Sequence, residues 1–420
     1  MAKVLLLPMG VGIAHVGRLI MIARELKVLG VEVIFGAGSD AIALLTREKL
    51  PFLPVAELEH KIYDEKVKKN NFIVYTSASL KKFVEAELAL YKRVKPDLVV
   101  FDTRPTVRIS AQIAGIPCVS VTNADASGYY DMSNTKFPAQ TTIGKFLPKR
   151  VASLLDKSHS QKFLTRLGPH LMQAVFALAI VRFSYTLASM GYKISANPFQ
   201  LLLGDLTLIA DIVQYRPVKP LPHTVKMVGP IFWDAAGELP SEAEGLGGMR
   251  DIIYVTASGT GDKAIFLKIL SFFKNTPYIV VATCGNALVP SDVIDRYPNL
   301  YVFDFLPGDF TLPRSKLIIF PGGNTTCYQA LSFGVPAIVT PFHFDQEDNA
   351  NQMVRLGVGE MINPWRHFTR DAFLATVEKV LKTPKYYQNS KRLQKIISNY
   401  DGKRKAAEEI VKFLGERSLL

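Results

Sequence analysis

Short apolar runs alternate with amphipathic segments along two stretches of the chain. In the first 123 residues, the runs cover residues 4–7, 31–35, 97–101 and 117–121, with helical spacing at 18–29 and 106–114. The alternation returns from Asp251, with runs at 252–256, 278–282, 300–303, 316–320 and 337–340 and helical spacing at 263–273, 325–333 and 346–356. Apolar runs that alternate with helices in this way form parallel sheets. The pattern predicts an α/β chain with two doubly wound parallel sheets.

Two regions depart from this alternation. Residues 124–205 have mostly helical spacing, whereas residues 217–222 and 237–248 are rich in Pro, Gly and acidic residues, as interdomain linkers often are. We therefore predict an N-terminal domain over residues 1–230 and a C-terminal domain over residues 231–420, with the last helix able to pack back on the first domain. Two such domains would form a ligand cleft at the carboxyl ends of their sheets.

The composition excludes several classes of protein. With 420 residues, 48% of them hydrophobic and 21% charged, the chain is neither disordered, collagenous nor a coiled coil. Cys118, Cys284 and Cys327 are far apart and form no C-x-x-C pair, which argues against a disulfide framework or a thiolate zinc site. The first apolar run is too short for a signal peptide. The sequence therefore predicts a cytoplasmic protein.

The charge of the chain is concentrated in its first half. Residues 1–230 contain 29 Lys and Arg against 17 Asp and Glu, and so carry nearly all of the net charge of +13. Residues 136–166 are especially basic and lead into an apolar stretch, 171–190, which Arg182 interrupts. An arginine within such a stretch disfavours a membrane span. The alternatives are a region that lies on an anionic membrane or grips the acceptor, and a buried helix pair with a solvated basic edge.

The loop after the first predicted strand carries Gly10, Gly12 and His15. It fails the dinucleotide fingerprint, because His15 stands at the third glycine position and the second strand ends without an acidic residue; a nicotinamide cofactor is therefore disfavoured. The turn would present His15 at a helix N-terminus, whose dipole favours the neutral imidazole of a general base. Asp102, after the run 98–101, could orient that imidazole. A structural hydrogen bond for His15 and a helix cap for Asp102 are the alternatives.

A second candidate site follows the predicted strand 316–320. The segment Pro321-Gly322-Gly323-Asn324-Thr325-Thr326 combines a Gly-Gly turn with the start of a helix, where free backbone N–H groups and hydroxyls can bind a diphosphate. It lacks the lysine of a P-loop. Asp345 and Gln346 follow the next strand, and their carboxylate and amide groups suit the vicinal hydroxyls of a sugar. A helix cap is again the alternative for Asp345.

Together, these motifs resemble the UDP-glycosyltransferase superfamily, and their spacing is closer to that of bacterial antibiotic- and lipid-modifying members. The similar segments are Gly12-Ile13-Ala14-His15, Pro96-Asp97-Leu98-Val99-Val100-Phe101-Asp102, Val228-Gly229-Pro230, Phe305-Leu306-Pro307, residues 321–326, Gln329-Ala330-Leu331, Gly334-Val335-Pro336 and residues 345–350. The resemblance covers about residues 3–123 and 228–360. It implies the GT-B fold, in which two Rossmann-like, doubly wound domains face a central cleft.

The resemblance also implies a role for each candidate residue. His15 would deprotonate the acceptor with Asp102 as its partner, and domain closure would be required because donor and base lie on different halves. The implied donor-binding residues include Phe305 against the base, Asp345 and Gln346 on the sugar, and a set around the diphosphate and ribose: Ser258, Thr260, Gly322, Gly323, Asn324, Thr325, Thr326 and Gln329. The implied reaction is inverting transfer from a nucleotide sugar, with UDP as the expected nucleotide, to a hydrophobic small molecule or lipid, without a cofactor or metal.

Two residues depart from the family pattern. Pro321 replaces a histidine that usually precedes the Gly-Gly turn, and Gln329 replaces the usual ribose-binding glutamate. Proline removes a donor group, and glutamine loses the charge of the carboxylate. These changes leave a catalytically silent binding subunit as an alternative. A nucleotide-sugar epimerase is a weaker one, and a nucleic-acid binder is disfavoured because no nucleic-acid-binding motif is present.

Overall fold

The computed structural model describes residues 2–59, 61–63, 66, 74–133, 135–142, 144, 147–233, 239–259, 261–285, 288–366 and 368–418. The chain forms two compact units. Unit 1 comprises residues 1–132, 166–233 and 400–420, and unit 2 comprises residues 133–165 and 234–399.

Unit 1 is built on a seven-stranded sheet in which all paired strands are parallel. The strands are β1 (Lys3–Pro8), β2 (Glu32–Ala37), β3 (Phe52–Pro54), β4 (Leu98–Asp102), β5 (Cys118–Thr122), β6 (Leu206–Ile209) and β7 (Val225–Met227). Their order across the sheet is β3-β2-β1-β4-β5-β6-β7. β1 therefore lies beside β4, and the register pairs Pro8 with Asp102. The loops that follow these two strands emerge together at the carboxyl edge of the sheet.

Helices connect and cover these strands, and further helices follow in the middle of the chain. They are α1 (Ile13–Val28), α2 (Ser39–Arg47), α3 (Ser77–Val94), α4 (Pro105–Ala114), α5 (Ala139–Thr142), α6 (Lys149–Ala152) and α7 (Ser158–Ser189). α1 begins five residues earlier than the spacing predicted, because Gly12 adopts a φ of 105° and turns the chain directly into the helix. His15 therefore lies in the first helical turn.

Unit 2 contains a six-stranded sheet, again with parallel pairs throughout. The strands are β8 (Ile252–Thr256), β9 (Val280–Thr283), β10 (Leu300–Phe303), β11 (Ser315–Phe320), β12 (Ala337–Val339) and β13 (Gly359–Met361), in the order β10-β9-β8-β11-β12-β13. The remaining helices are α8 (Lys263–Phe272), α9 (Gly308–Thr311), α10 (Asn324–Phe333), α11 (Phe344–Arg355), α12 (Arg370–Lys382), α13 (Pro384–Ile397) and α14 (Gly402–Ser418). α14 belongs to unit 1, where Lys226 of β7 forms an ion pair with its Glu409.

The structure differs from the predicted domain division in residues 133–165, which pack within unit 2. The Glu347 carboxylate of α11 accepts hydrogen bonds from the backbone N–H groups of Gln140 and Thr141, at 3.0 and 2.6 Å. The rings of Phe137 and Phe344 lie edge to face, 5.9 Å apart. A buried carboxylate needs hydrogen-bond donors, and this segment supplies them. Part of the basic segment 136–166 is therefore anchored on α11, the helix that carries Asp345 and Gln346.

Glu347→Gln is expected to lower the free energy of unfolding by about 2 kcal/mol, because a buried charged acceptor is replaced by an amide whose NH₂ group would face the N–H donors of α5. The Glu347 side chain is buried, and Thr141 Oγ1 donates a third hydrogen bond to it at 2.7 Å. The measurement is urea unfolding. The matched control is Glu378→Gln, which removes only an exposed ion pair with Lys382 and should change stability little. Equal effects of the two variants would contradict this role for Glu347.

Candidate functional site

The carboxyl edge of the unit 1 sheet brings together His15 and Asp102. Asp102 is the last residue of β4 and is fully buried, while His15 is about one quarter exposed in the first turn of α1. His15 Nδ1 lies 2.8 Å from Asp102 Oδ1. Because an ionised carboxylate can only accept, Nδ1 carries the proton and donates a hydrogen bond to Asp102. The other ring nitrogen, Nε2, is left with a lone pair that can accept a proton.

Asp102 is held in its ionised form by its neighbours. Burial alone would raise the pKa of Asp102, but the Arg18 guanidinium and the His15 imidazole outweigh that effect and lower the pKa below its ordinary value. Arg18 Nη1 lies 3.4 Å from Asp102 Oδ2, and Thr103 Oγ1 donates to Asp102 Oδ1 at 2.9 Å. Thr103 has a φ of 51°, in the left-handed region that non-glycine residues rarely adopt. The chain turns sharply there, immediately after the carboxylate.

The His15–Asp102 pair is one end of a buried polar network along the edge of the sheet. Arg18 Nη2 donates to Asn123 Oδ1 at 2.8 Å, and Asn123 Nδ2 in turn donates to Asp211 Oδ2 at 3.2 Å. Arg216 Nη1 lies 3.8 Å from the same Asp211 oxygen. Asn123 directly follows β5, and Asp211 lies two residues beyond β6. The sequence analysis missed Arg18, Asn123 and Asp211, although a polar residue just beyond each buried strand was a signal that could have found the last two.

Arg18→Met is expected to lower kcat about tenfold to a hundredfold with a smaller effect on KM, because Arg18 acts through Asp102 rather than on substrate. The pKa of Asp102 is lowered in the folded protein, so Asp102 loses its charge only when the pH falls through that lowered pKa. Without Arg18 the folded-state pKa of Asp102 rises. The acid limb of the pH–rate profile should therefore move to higher pH.

Arg18→Lys serves as the conservative control, since it keeps the positive charge and should restore part of the rate and of the acid limb. If Arg18→Met lowers the rate but leaves the pH profile unchanged, Arg18 does not act through the ionisation of Asp102.

The second site lies at the carboxyl edge of the unit 2 sheet, where β8 and β11 are neighbours. Ser258 follows β8 and Thr326 lies in the first turn of α10; their hydroxyl oxygens are 3.3 Å apart. Ser258 has a φ of 54°, in the left-handed region that non-glycine residues rarely adopt. Thr260, which the resemblance places in the same loop, lies outside the described residues. The strand order thus brings Ser258 and Thr326 together, as the resemblance implies.

The start of α10 has the features of an anion site. Gly323 is its N-cap residue and supplies no side chain to the first N–H groups of the helix. Asn324 Oδ1 is buried without a hydrogen-bond partner among the described residues. Gly322, with a φ of 114°, lies against α11, where Asn349 Nδ2 donates to its carbonyl at 2.9 Å. The hydrogen bond from Asn349 therefore fixes the turn on the side of α11. On the other side, Thr325 and the backbone amides beside it are only partly buried.

The two residues that the resemblance assigns to the donor sugar direct their side chains into different surroundings. The Asp345 side chain is 59% exposed, and its Oδ1 lies 3.4 Å from His343 Nδ1. The Gln346 side chain is buried, and its Oε1 accepts a hydrogen bond from the backbone N–H of Phe342 at 2.8 Å. Gln346 therefore braces the loop before α11, whereas Asp345 faces solvent.

The two remaining donor residues lie near the same edge. Phe305, two residues beyond β10, is 45% exposed, and the Gln329 side chain lies beside Gly308. The described residues contain no group of three or more His, Cys, Asp or Glu side chains that could hold a metal ion.

Comparison with known proteins gives three similarities. Residues 279–413 match the family model "Erythromycin biosynthesis protein CIII-like, C-terminal domain". The chain is 30% identical over 395 residues to a PGL/p-HBAD biosynthesis rhamnosyltransferase of Mycobacterium bovis, covering 93% of this chain and 83% of that protein. It is 29% identical over 385 residues to a PGL/p-HBAD biosynthesis glycosyltransferase of Mycobacterium tuberculosis, covering 91% and 85%.

Solved structures show the same fold. The spinosyn rhamnosyltransferase, in its complex with thymidine diphosphate, superposes with a TM-score of 0.69 at 15% identity, covering 98% of this chain and 100% of that one. The same protein has also been solved with the spinosyn aglycone.

Proposed function

This chain belongs to the glycosyltransferase family that includes the mycobacterial PGL/p-HBAD biosynthesis enzymes, and we propose that it transfers a sugar, with inversion, from a pyrimidine nucleoside diphosphate to a hydroxyl of a hydrophobic acceptor. The single observation that carries the mechanism is the His15–Asp102 contact of 2.8 Å, made by a buried carboxylate and a partly exposed imidazole. An imidazole with this orientation can remove a proton from a hydroxyl.

The proposed reaction is a single displacement. His15 Nε2 takes the proton of the acceptor hydroxyl while the oxygen bonds to the anomeric carbon, and the bond from that carbon to the diphosphate breaks on the opposite face. The products are the glycoside and the nucleoside diphosphate, and the proton on His15 then passes to solvent. Asp102 stabilises the imidazolium that forms during the step, because its own pKa keeps it ionised.

The leaving diphosphate is proposed to bind at the start of α10. Its developing negative charge would meet the free N–H groups that follow Gly323, the positive end of the helix dipole and the Ser258 and Thr326 hydroxyls. No Asp-x-Asp motif is present in the sequence, so we propose that transfer needs no added metal ion. Phe305 is 45% exposed, and we propose that the base stacks on its aromatic ring.

The proposed nucleotide and the proposed acceptor are supported by different observations. The sequence resemblance favours UDP, whereas the spinosyn rhamnosyltransferase binds thymidine diphosphate; both carry a pyrimidine base. Ile13, two residues from His15, is 46% exposed, and an apolar side chain at this position suits a hydrophobic small molecule or a lipid. The curated relatives, named for PGL/p-HBAD biosynthesis, support an acceptor of this class.

The test is a transfer assay with UDP-, dTDP- and GDP-sugars against phenolic and lipid acceptors, with and without EDTA. The expected result is release of UDP or dTDP coupled to glycoside formation, unchanged by EDTA. Nucleotide binding without turnover on any acceptor would overturn the proposal in favour of a silent binding subunit, and would turn attention to Pro321. Epimerisation of the donor without acceptor would overturn it in favour of an epimerase.

A further inference from the structure

Helix α7 presents a row of exposed apolar side chains. Its 32 residues extend over roughly 48 Å at 1.5 Å per residue. Seven large apolar residues on it are more than one third exposed: Phe163, Leu167, Leu171, Val175, Leu178, Val181 and Tyr185. At 3.6 residues per turn, these positions fall within an arc of about 120° on the helix. We call this row the α7 stripe.

The opposite side of α7 is packed near its end. Phe183 and Leu187 are buried against Leu80 and Val84 of α3 and Ile109 of α4. Among the described residues α7 is long and apolar enough to cross a membrane by length and composition alone, yet only 19% of its most apolar 18-residue window is buried. A buried helix pair, one of the two interpretations of the sequence, is therefore not what forms. The fixed inner face holds the helix on the protein, and the stripe faces outward.

The aromatic residues of this region divide between core and surface. Phe137, Phe183 and Tyr192 are buried, whereas Phe163 and Tyr185 are 64% and 85% exposed. Tyrosine at the end of an apolar face is typical of a membrane interface, where the ring lies among acyl chains and the hydroxyl reaches water.

The charged residues on α7 are all basic, and the sequence places one acidic residue, Asp156, just before the helix. α7 contains no Asp or Glu, and it carries Lys162, Arg166 and Arg182 together with Lys157 just before it and Lys193 just after it. Basic groups at both ends of an apolar row match an anionic lipid surface, because the long side chains can reach the headgroups while the row enters the acyl boundary.

We propose that α7 docks on an anionic lipid bilayer and lies in the plane of the interface with its stripe buried. The helix does not span the bilayer in this arrangement, because insertion would remove Phe183 and Leu187 from their packing against α3 and α4. The inference goes beyond the proposed function and does not depend on it: it concerns where the protein binds, and it holds for any nucleotide or acceptor.

The test is co-sedimentation of the full chain with vesicles of phosphatidylcholine alone or with about a third phosphatidylglycerol. The stripe variant carries Leu178→Ser and Val181→Ser, and its matched control carries Val28→Ser and Ile294→Ser, two apolar residues that are at least as exposed elsewhere. We expect the wild type and the control to bind the anionic vesicles equally well. The stripe variant should bind them at least about tenfold more weakly. Thermal unfolding of each variant reports whether it folds.

A second pair of variants tests the role of charge. Arg166→Gln with Arg182→Gln should weaken binding to the anionic vesicles, whereas Lys385→Gln with Arg392→Gln, two exposed charges on α13, should not. Three results would overturn the proposal. They are no binding of the wild type to anionic vesicles, resistance of the membrane-bound protein to alkaline carbonate extraction, which indicates a span, and a lipid-free dimer that the stripe variant dissociates.

Discussion

His15→Ala is expected to lower kcat for glycosyl transfer by about 10²–10⁴-fold while the Kd for nucleoside diphosphate stays unchanged. The imidazole is the group that would take the acceptor proton, and its Nδ1 is occupied by the buried Asp102 at 2.8 Å. Alanine removes the base but leaves the described contacts of unit 2 intact, since His15 belongs to unit 1. The measurements are steady-state transfer rates and calorimetric titration with the nucleotide.

His223→Ala is the matched control, because this histidine is exposed and lies far along the chain from both sites. It should keep the full rate. A His15→Ala variant that retains more than about one tenth of the wild-type kcat would contradict the general-base role, since that residual rate is above the range expected for loss of a base.

Gly322→Ala is expected to weaken nucleotide-sugar binding by at least about tenfold and to lower the free energy of unfolding by about 1–3 kcal/mol. Gly322 has a φ of 114°, and an added Cβ would lie 2.8 Å from both the Gln346 carbonyl oxygen and Val339 Cγ1. The carbonyl belongs to the first turn of α11 and cannot move cheaply. The turn that presents the N–H groups of α10 must therefore shift.

Gly248→Ala is the control for this variant, because an added Cβ there meets open space. Binding is measured by titration with UDP and dTDP at a temperature where both variants are folded. Unchanged affinity in folded Gly322→Ala would contradict the assignment of the diphosphate to the start of α10.

Much of the fold could be predicted from the sequence. Apolar runs of four or more residues gave the central strands of both sheets, and the motifs predicted the GT-B fold and a glycosyltransferase; the comparisons confirm both. The strands β3, β7, β12 and β13 have only three residues each, and β3, β7 and β13 were missed because so short a segment carries no periodic signal. β6, with four residues, was missed for a similar reason.

The site was predictable where it depends on strand order and unpredictable where it depends on side-chain packing. His15 and Asp102 meet because adjacent parallel strands end at the same edge. In contrast, Arg18 has the helical position of an ordinary surface arginine in the sequence, and only the tertiary structure buries it against Asp102. Likewise, Gln346 follows Asp345 directly, yet its amide turns inward to the backbone of Phe342. Spacing alone cannot distinguish these orientations.

The central claim is a single displacement with His15 as the base, and it is tested most directly by the anomeric configuration of the product. The measurement is the one-bond C1–H1 NMR coupling of the glycoside that is formed from a donor of known anomeric configuration. We predict the inverted anomer from the wild type as the only enzymatic product. A product that retains the donor configuration would contradict the account, because retention requires a different chemical course at the anomeric carbon.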